Sequence, residues 1–403
     1  MKLIGHIDVD CFYVSCERVR DPYLKNKPVG VLSNQGACVI ARSYEMKEFG
    51  VKVGTPIWEA KKLCPDGIYI KRDFRWYGVL SRAMQDVLTR YSDLVEYYSI
   101  DESFVDFGSY EGDWLNLGQK IQNQIQEVVG VPVSIGLSMS RILSKIASSR
   151  DKPHGVTVVD MEGLNKFLEQ TLIAEIPGIG RRLSRRLQQY SIKTAWDYVQ
   201  WPSFAIKKIV NKPGEEIWYE LKGKSVLPVR RERPEHKAVS RGGSVWGHHK
   251  DPKHIWGFLV RNLERLADAL WQKGVETLRL EIILITSDGR YFKYVQSLPD
   301  YTYSYYLLLK ALRFGFKKVF KTNVSYCATH LVAWPVRSVQ QKQLSLFSLE
   351  KNKRKKIVQA KRAVNKKFGL YVLRSASTAY VPEVFKDKTS NFEISDVGGK
   401  FCF

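Results

Sequence analysis

The stretch EYYSIDESFVDFG, residues 96–108, decides how the chain is read. Its Tyr, Ile, Phe and Val favour a β-hairpin, and Asp101 and Glu102 interrupt that run. Adjacent carboxylates repel each other and are costly to bury. A cationic group is therefore expected beside them.

Working outward, KLIGHIDV at residues 2–9 reads as a buried strand. Its alternation sends Ile7 and Val9 to one side and Asp8 and Asp10 to the other. If this strand and the hairpin are neighbours, Asp8, Asp10, Asp101 and Glu102 converge. Clustered carboxylates suit hard cations such as Mg²⁺. Two such ions about 4 Å apart form the clamp used for in-line displacement at phosphorus. Taken singly, each acid has a blander reading as solvated surface.

The rest of the chain alternates strands and helices around these acids. CFYVSCERV opens a helix, and GVLSNQGACVIA gives strands. RSYEMKEFG is a short helix ended by Gly50. GTPIWEAKKLCP is another, with Thr55 as its cap, Pro56 in its first turn and Cys64-Pro65 as its stop. An amphipathic helix runs past 75 to about Tyr91. After the hairpin come a helix near 113–129, the strand VPVSIGLS, the helix SRILSKIASS and the strand GVTVV. The pattern predicts an α/β layer with helices on one face. Residues 165–223 read as helical and basic, LPVRRERPEHKAVSRGG as a linker, and 240–335 as a return to β character with helices between, an α+β unit. The end is polar, then strongly cationic.

The 403 residues exceed one ordinary core, so two to four domains are expected. The net charge of +23 points to a polyanionic partner, nucleic acid before an anionic membrane. Six scattered cysteines imply a reducing compartment. The first residues resemble no signal peptide, and no run is apolar enough to span a membrane. A cytoplasmic protein with no membrane partner is expected. His236, His248, His249 and His254 cluster in sequence, but without zinc-ligand spacing.

IDVDCFYVSCE, VIARSYEMKEFGVKVGTP, YYSIDESFVDF, LSKIASSRDKPHGV and IPGIG, in this order, resemble the Y-family translesion DNA polymerases. The likeness runs from residue 1 to about 350, and VLSNQGACVIAR looks closest to the bacterial UmuC-type branch. The resemblance implies a right-hand polymerase. Its palm would occupy 1–30 and 71–164, small fingers 31–70, and a helical thumb with a helix–hairpin–helix 165–230. A β-rich little finger would occupy 238–336, followed by a basic tail, 337–403. It further implies that Asp8 and Asp101 bridge two Mg²⁺ ions, with Mn²⁺ as a substitute. Glu102 would hold the ion that activates the primer 3′-hydroxyl, and the Val9 carbonyl would help hold the nucleotide-bound ion. Asp10 stays outside this ligand set and shapes only the local field.

By the same resemblance Tyr13, beside Phe12, is the steric gate against a 2′-hydroxyl. Cys11 stands where some relatives carry an aromatic. Tyr44 and Lys47, on one helix face, with Arg42 and Lys152, grip the triphosphate. Lys47 replaces an Arg common in relatives, exchanging a planar fork for a point charge. IPGIG resembles a helix–hairpin–helix: Gly178 and Gly180 let backbone N–H groups approach a DNA phosphate, with Arg181 and Arg182 adding charge. Arg185 and Arg186 lie just beyond. Gly243 and Ser244 suggest a second DNA-tracking surface. Gln343, Leu344, Leu346 and Phe347 in QLSLF resemble a sliding-clamp docking peptide, against the plainer reading of one amphipathic turn. KNKRKK and KRAVNKK are expected to be solvated or to touch DNA phosphate.

The function implied is low-fidelity, DNA-templated DNA synthesis past damaged bases, as in repair and the SOS response. Primer–template DNA, dNTPs, a sliding clamp and SOS accessory proteins would be the partners of a monomer. A two-metal nuclease with a helix–hairpin–helix is the alternative, but it has no need of the Tyr13, Tyr44, Lys47 and Lys152 set. A non-catalytic DNA-binding scaffold has no need of the acids.

Overall fold

The computed structural model describes residues 2–33, 38–232, 235–339, 352–369 and 371–380. Two compact units divide at Arg233 and Pro234. The first opens with β1 (Ile4–Val9) and α1 (Phe12–Arg20). A small three-stranded sheet follows, made of β2 (Val29–Leu32), β3 (Val39–Arg42) and β4 (Ile68–Lys71) in the order β3-β2-β4. Between its strands lie α2 (Tyr44–Glu48) and α3 (Ile57–Leu63), and Val39, Met46, Val51 and Ala60 form its core. Thr55 does not cap α3. Pro56 takes the cap position, and the Thr55 hydroxyl instead accepts the Lys52 N–H at 3.0 Å, closing the turn before the helix.

The chain then runs through α4 (Phe74–Leu88), β5 (Leu94–Tyr97), β6 (Glu102–Asp106), α5 (Trp114–Val129), β7 (Val133–Ser138), α6 (Arg141–Ala147) and β8 (Val156–Val159). These strands and β1 make a five-stranded sheet in the order β5-β6-β1-β7-β8. β1 lies at its centre, antiparallel to β6 and to β7. Ile7 and Val9 face α4 and α5 in the main core, as the alternation predicts. A one-residue slip would turn His6 and Asp8 into that apolar core in their place, so the register is strongly specified.

The helices are not confined to one face. α6 packs across the opposite face of β1 and β7, and Gly136 makes that possible. A Cβ there would stand 2.0 Å from the Ser144 carbonyl oxygen and 2.3 Å from the Ser148 nitrogen. Composition and periodicity carry no signal for so close an approach of helix to strand.

Residues after 160 are helical, as expected: α7 (Leu164–Gln170), α8 (Arg181–Gln188), α9 (Ala195–Gln200) and α10 (Ser203–Leu221). α10 is kinked at Asn211, which has positive φ, two residues before Pro213.

The second unit is a four-stranded antiparallel sheet in the order β11-β10-β12-β9. Its elements are β9 (Val239–His249), α11 (Pro252–Gln272), β10 (Val275–Thr286), β11 (Tyr291–Thr302), α12 (Tyr305–Val319) and β12 (Tyr326–Ser338). The stretch read as linker therefore ends inside β9, where Val239 is buried opposite Ala333.

The cationic tail is not wholly solvated. Residues 352–368 form α13 (Asn352–Phe368), and Lys361 pairs with buried Glu264 at 2.5 Å while Arg362 lies 3.4 Å from Asp268. Charge density alone hid this helix, because its acids lie on α11. QLSLF, including Gln343, Leu344, Leu346 and Phe347, falls outside the described residues, as do residues 381–403 and part of VLSNQGACVIAR.

Candidate active site

The pairing of β1 with β6 sets Asp8 directly opposite Glu102, and the Val9 N–H donates to the Asp101 carbonyl at 3.0 Å. The turn joining β5 to β6 explains how two adjacent acids are tolerated. Tyr98 and Ser99 donate their N–H groups to the Glu102 carbonyl at 3.1 and 3.0 Å. The Ser99 side-chain oxygen accepts the Asp101 and Glu102 N–H groups at 3.3 and 3.1 Å, and its hydroxyl donates to the Asp101 carboxylate. The acids thus stand at the strand's entry, Asp101 before its first rung and Glu102 on it.

Two ammonium groups meet the acids. Lys152 Nζ lies 2.5 Å from Asp8 Oδ1 and 3.9 Å from Asp10 Oδ1, and Lys145 Nζ lies 2.5 Å from Glu102 Oε1. Burial drives the Asp8 carboxyl well above the usual carboxylate range; Lys152 pulls it back, while Glu102 and Asp101 push it further up. Asp101 is raised too, by burial and by Glu102, against the Ser99 hydrogen bond. Burial weakens Lys152 as an acid-paired cation, but the charge and hydrogen bond of Asp8 outweigh it and its pKa rises.

Asp10 is a different case. Only 1% exposed, it accepts the Ser134 hydroxyl at 2.9 Å and the His154 N–H at 2.8 Å, with the Tyr44 hydroxyl at 3.4 Å. A buried carboxylate so provided with donors braces the loop before β8 against β1.

No three acid, His or Cys side chains among the described residues converge closely enough to hold an ion as they stand. The donor set nonetheless fits a hard divalent cation. Asp8, Asp101 and Glu102 supply carboxylate oxygens, and the first two are held in burial against their mutual repulsion. Positive charge beyond the two lysines would relieve that repulsion.

Tyr13 stacks on Tyr77 with ring centroids 4.8 Å apart and meets the edge of Phe74 at 5.6 Å. Tyr77 is itself anchored by a 2.6 Å hydrogen bond to Glu17. Tyr13 is half-buried, whereas Phe12 lies in the core and presents little surface to any ligand. Tyr44 and Lys47 lie on α2, Lys47 exposed, and the Arg42 guanidinium is tied to the Val51 carbonyl. Farther along the first unit, Gly178 adopts φ 93° and Gly180 precedes α8, whose Arg181 and Arg182 are exposed. In the second unit Gly243 and Ser244 lie on β9.

Sequence reasoning missed His6 and Lys145. His6 is fully buried, 2.7 Å from Ser148 Oγ and 3.4 Å from Lys145 Nζ. Burial, then the nearby lysines and Arg141, hold it well below its usual pKa, so it is neutral. The period of two that aligned Asp8 with Asp10 also puts His6 on their face. Nothing in sequence brings α6 over it.

Comparison with known proteins follows this geometry. Residues 7–149 match the model of the impB/mucB/samB family. The chain is 30% identical over 388 residues to DNA polymerase IV 1 of Bacillus subtilis (strain 168), covering 94% of this chain and 93% of that one. It is 34% identical over 246 residues to DNA polymerase IV of Nitrosopumilus maritimus (strain SCM1), covering 58% and 68%. Among solved structures, a Y-family DNA polymerase chimera of Dbh and Dpo4 superposes with a TM-score of 0.73 at 24% identity, covering 83% of this chain and 99% of that one. An insertion ternary complex of Dbh DNA polymerase gives 0.54 at 24% identity, with the same coverage.

Proposed function

This chain belongs to the Y-family translesion DNA polymerases, and on that footing we propose that it extends a primer on a DNA template past damaged bases. The observation that carries the site is the ladder setting Asp8 opposite Glu102, with Asp101 bonded across to Val9. Asp8, Asp101, Glu102 and the Val9 carbonyl would hold the divalent ions, Mg²⁺ in the first instance and Mn²⁺ as a substitute. Bound there, such ions would lower the pKa of the primer 3′-hydroxyl and neutralise charge on the triphosphate and the departing pyrophosphate.

The chain's own residues do the rest. Tyr13, its ring fixed against Tyr77 and Phe74, limits room beside the sugar. Phe12 backs it from the core. Lys47, Tyr44 and Lys152 hold the triphosphate, and Arg42 steadies the α2 segment through Val51. The regions map as palm, fingers around the small sheet, helical thumb and β-rich little finger. Gly178, Gly180, Arg181 and Arg182 in the thumb, and Gly243 and Ser244 in the little finger, contact DNA phosphates. Gln343 to Phe347 dock a sliding clamp, and the enzyme works in the cytoplasm during the SOS response. The small fingers core leaves base-pair shape loosely checked, hence low fidelity.

Primer extension on undamaged and abasic templates, with each divalent ion, tests this reading. Asp101→Ala is expected to lower incorporation by about 10³-fold while leaving DNA affinity intact. Normal extension by that variant would remove Asp101 from the site.

A further inference from the structure

Glu220, at the C-terminal end of α10, is fully buried. Its carboxylate's hydrogen-bond donors among the described residues are main-chain N–H groups. Oε1 accepts those of Val226 and Leu227 at 2.7 and 2.8 Å, and Oε2 accepts that of Ile142 at 3.2 Å. The Glu220 carbonyl also accepts the Ser140 hydroxyl at 2.7 Å. One residue thus joins the end of α10, the segment that follows it and the first turn of α6.

That segment, residues 226–230, is a strap without regular structure. A second acid pins its far end. Glu96 on β5 accepts the Arg230 N–H at 2.9 Å and takes the Arg141 guanidinium through both oxygens, at 2.7 and 3.0 Å. Arg141 in turn donates to the Pro228 carbonyl at 2.7 Å and lies 4.3 Å from the centre of the Phe104 ring. Between the two acids, Val229 is buried against Ile4, Phe104 and Tyr98.

Both acids grip the same helix end. Glu220 holds Ser140 and Ile142, and Glu96 holds Arg141, while the body of α6 lies on β7 across Gly136. One turn further along, Lys145 meets Glu102 at 2.5 Å, and Ser148 meets His6 at 2.7 Å. A helix of seven residues has little length over which to bend, so a displacement of its first turn reaches Lys145. Packing alone does not call for a carboxylate at position 220. An apolar side chain of similar size would fill the space without burying a charge. What an acid adds is two acceptor oxygens aimed at two different segments.

We propose that Glu220 is a positioning residue of the candidate active site: by holding the strap and the first turn of α6 on one carboxylate, it sets how α6 presents Lys145 to Glu102. Glu96 supports the same helix end from β5. The reaction that this placement serves rests on the polymerase reading above.

The test compares the full chain with Glu220→Gln, Glu96→Gln and, as a control, Leu221→Ala. Gln keeps the volume of Glu220 but offers one acceptor oxygen, so either the strap or α6 loses its partner. Leu221 is fully buried beside Glu220, in the apolar core of the helical region. The measurements are primer–template affinity, KM for nucleotide, kcat, the thermal midpoint and hydrogen exchange of the α6 amides well below that midpoint. Glu220→Gln is expected to lower kcat by about 10–100-fold with DNA affinity and KM unchanged, and to speed α6 exchange about tenfold. Glu96→Gln should move both in the same direction by a smaller factor, and it decides alone if Glu220→Gln does not fold. Leu221→Ala should lower the midpoint at least as far and leave kcat and α6 exchange as in the wild type. If Leu221→Ala reproduces the loss of kcat, or if neither Gln variant lowers kcat, Glu220 is structural only and the proposal fails. Should the wild type extend no primer while α6 exchange still follows Glu220, the polymerase reading fails and the hold on α6 stands.

Discussion

The Tyr13 ring is held by aromatic neighbours, Phe12, Phe74 and Tyr77. Stacked on Tyr77, which is in turn bonded to Glu17, the Tyr13 ring cannot shift without disturbing a core cluster, as the gate proposed for it requires. Tyr13→Ala is therefore expected to relax discrimination against ribonucleotides by about 10–200-fold, read as the ratio of kcat/KM for the two nucleotide types. Unchanged discrimination would move the gate elsewhere. The acids obey the same logic of supported side chains. Asp8 and Asp101 are costly where they stand, Asp10 is satisfied by Ser134 and His154, and the three look alike in sequence. Alternation found their common face, but burial and donor count, which separate a bracing acid from a reactive one, depend on contacts up to 144 residues apart along the chain.

Among the elements, α6 is the one on which the site leans most. It brings Lys145 to Glu102 and Ser148 to His6, and it reaches β7 only across Gly136. Gly136→Ala is expected to destabilise the first unit by about 1–3 kcal/mol, measured by denaturant unfolding, and to lower polymerase activity at temperatures where the unit stays folded. The strands and most helices were legible because their periods of two and 3.6 are local properties. α6 was legible as a helix and illegible as to face, since only the empty side of Gly136 decides where it lies. α13 failed for the opposite reason: its cations read as a solvated run, whereas buried Glu264 selects Lys361 for pairing. Glu264→Ala should leave Lys361 and the Ser375 N–H without that acceptor. The expected result is earlier proteolytic cleavage within residues 352–380, with the rest of the second unit resisting as before. Equal cleavage rates would show that the segment is held by other contacts.

At the scale of the molecule, the two units divide the labour differently. The first carries the acids of the candidate site on and beside one sheet; the second offers a sheet edge and a strongly cationic helix, α13. A deletion of residues 343–347 should accordingly leave unassisted primer extension unchanged and abolish its stimulation by a sliding clamp. Equal stimulation of the truncated and full chains would end the docking assignment. The central position of β1 sets the behaviour of the whole first unit. Flanked on both sides by paired strands, its amides should be among the last to trade hydrogen for deuterium, opening only when the unit unfolds globally. On heating, the loss of the paired carboxylates of the site should then coincide with global melting of the first unit rather than precede it.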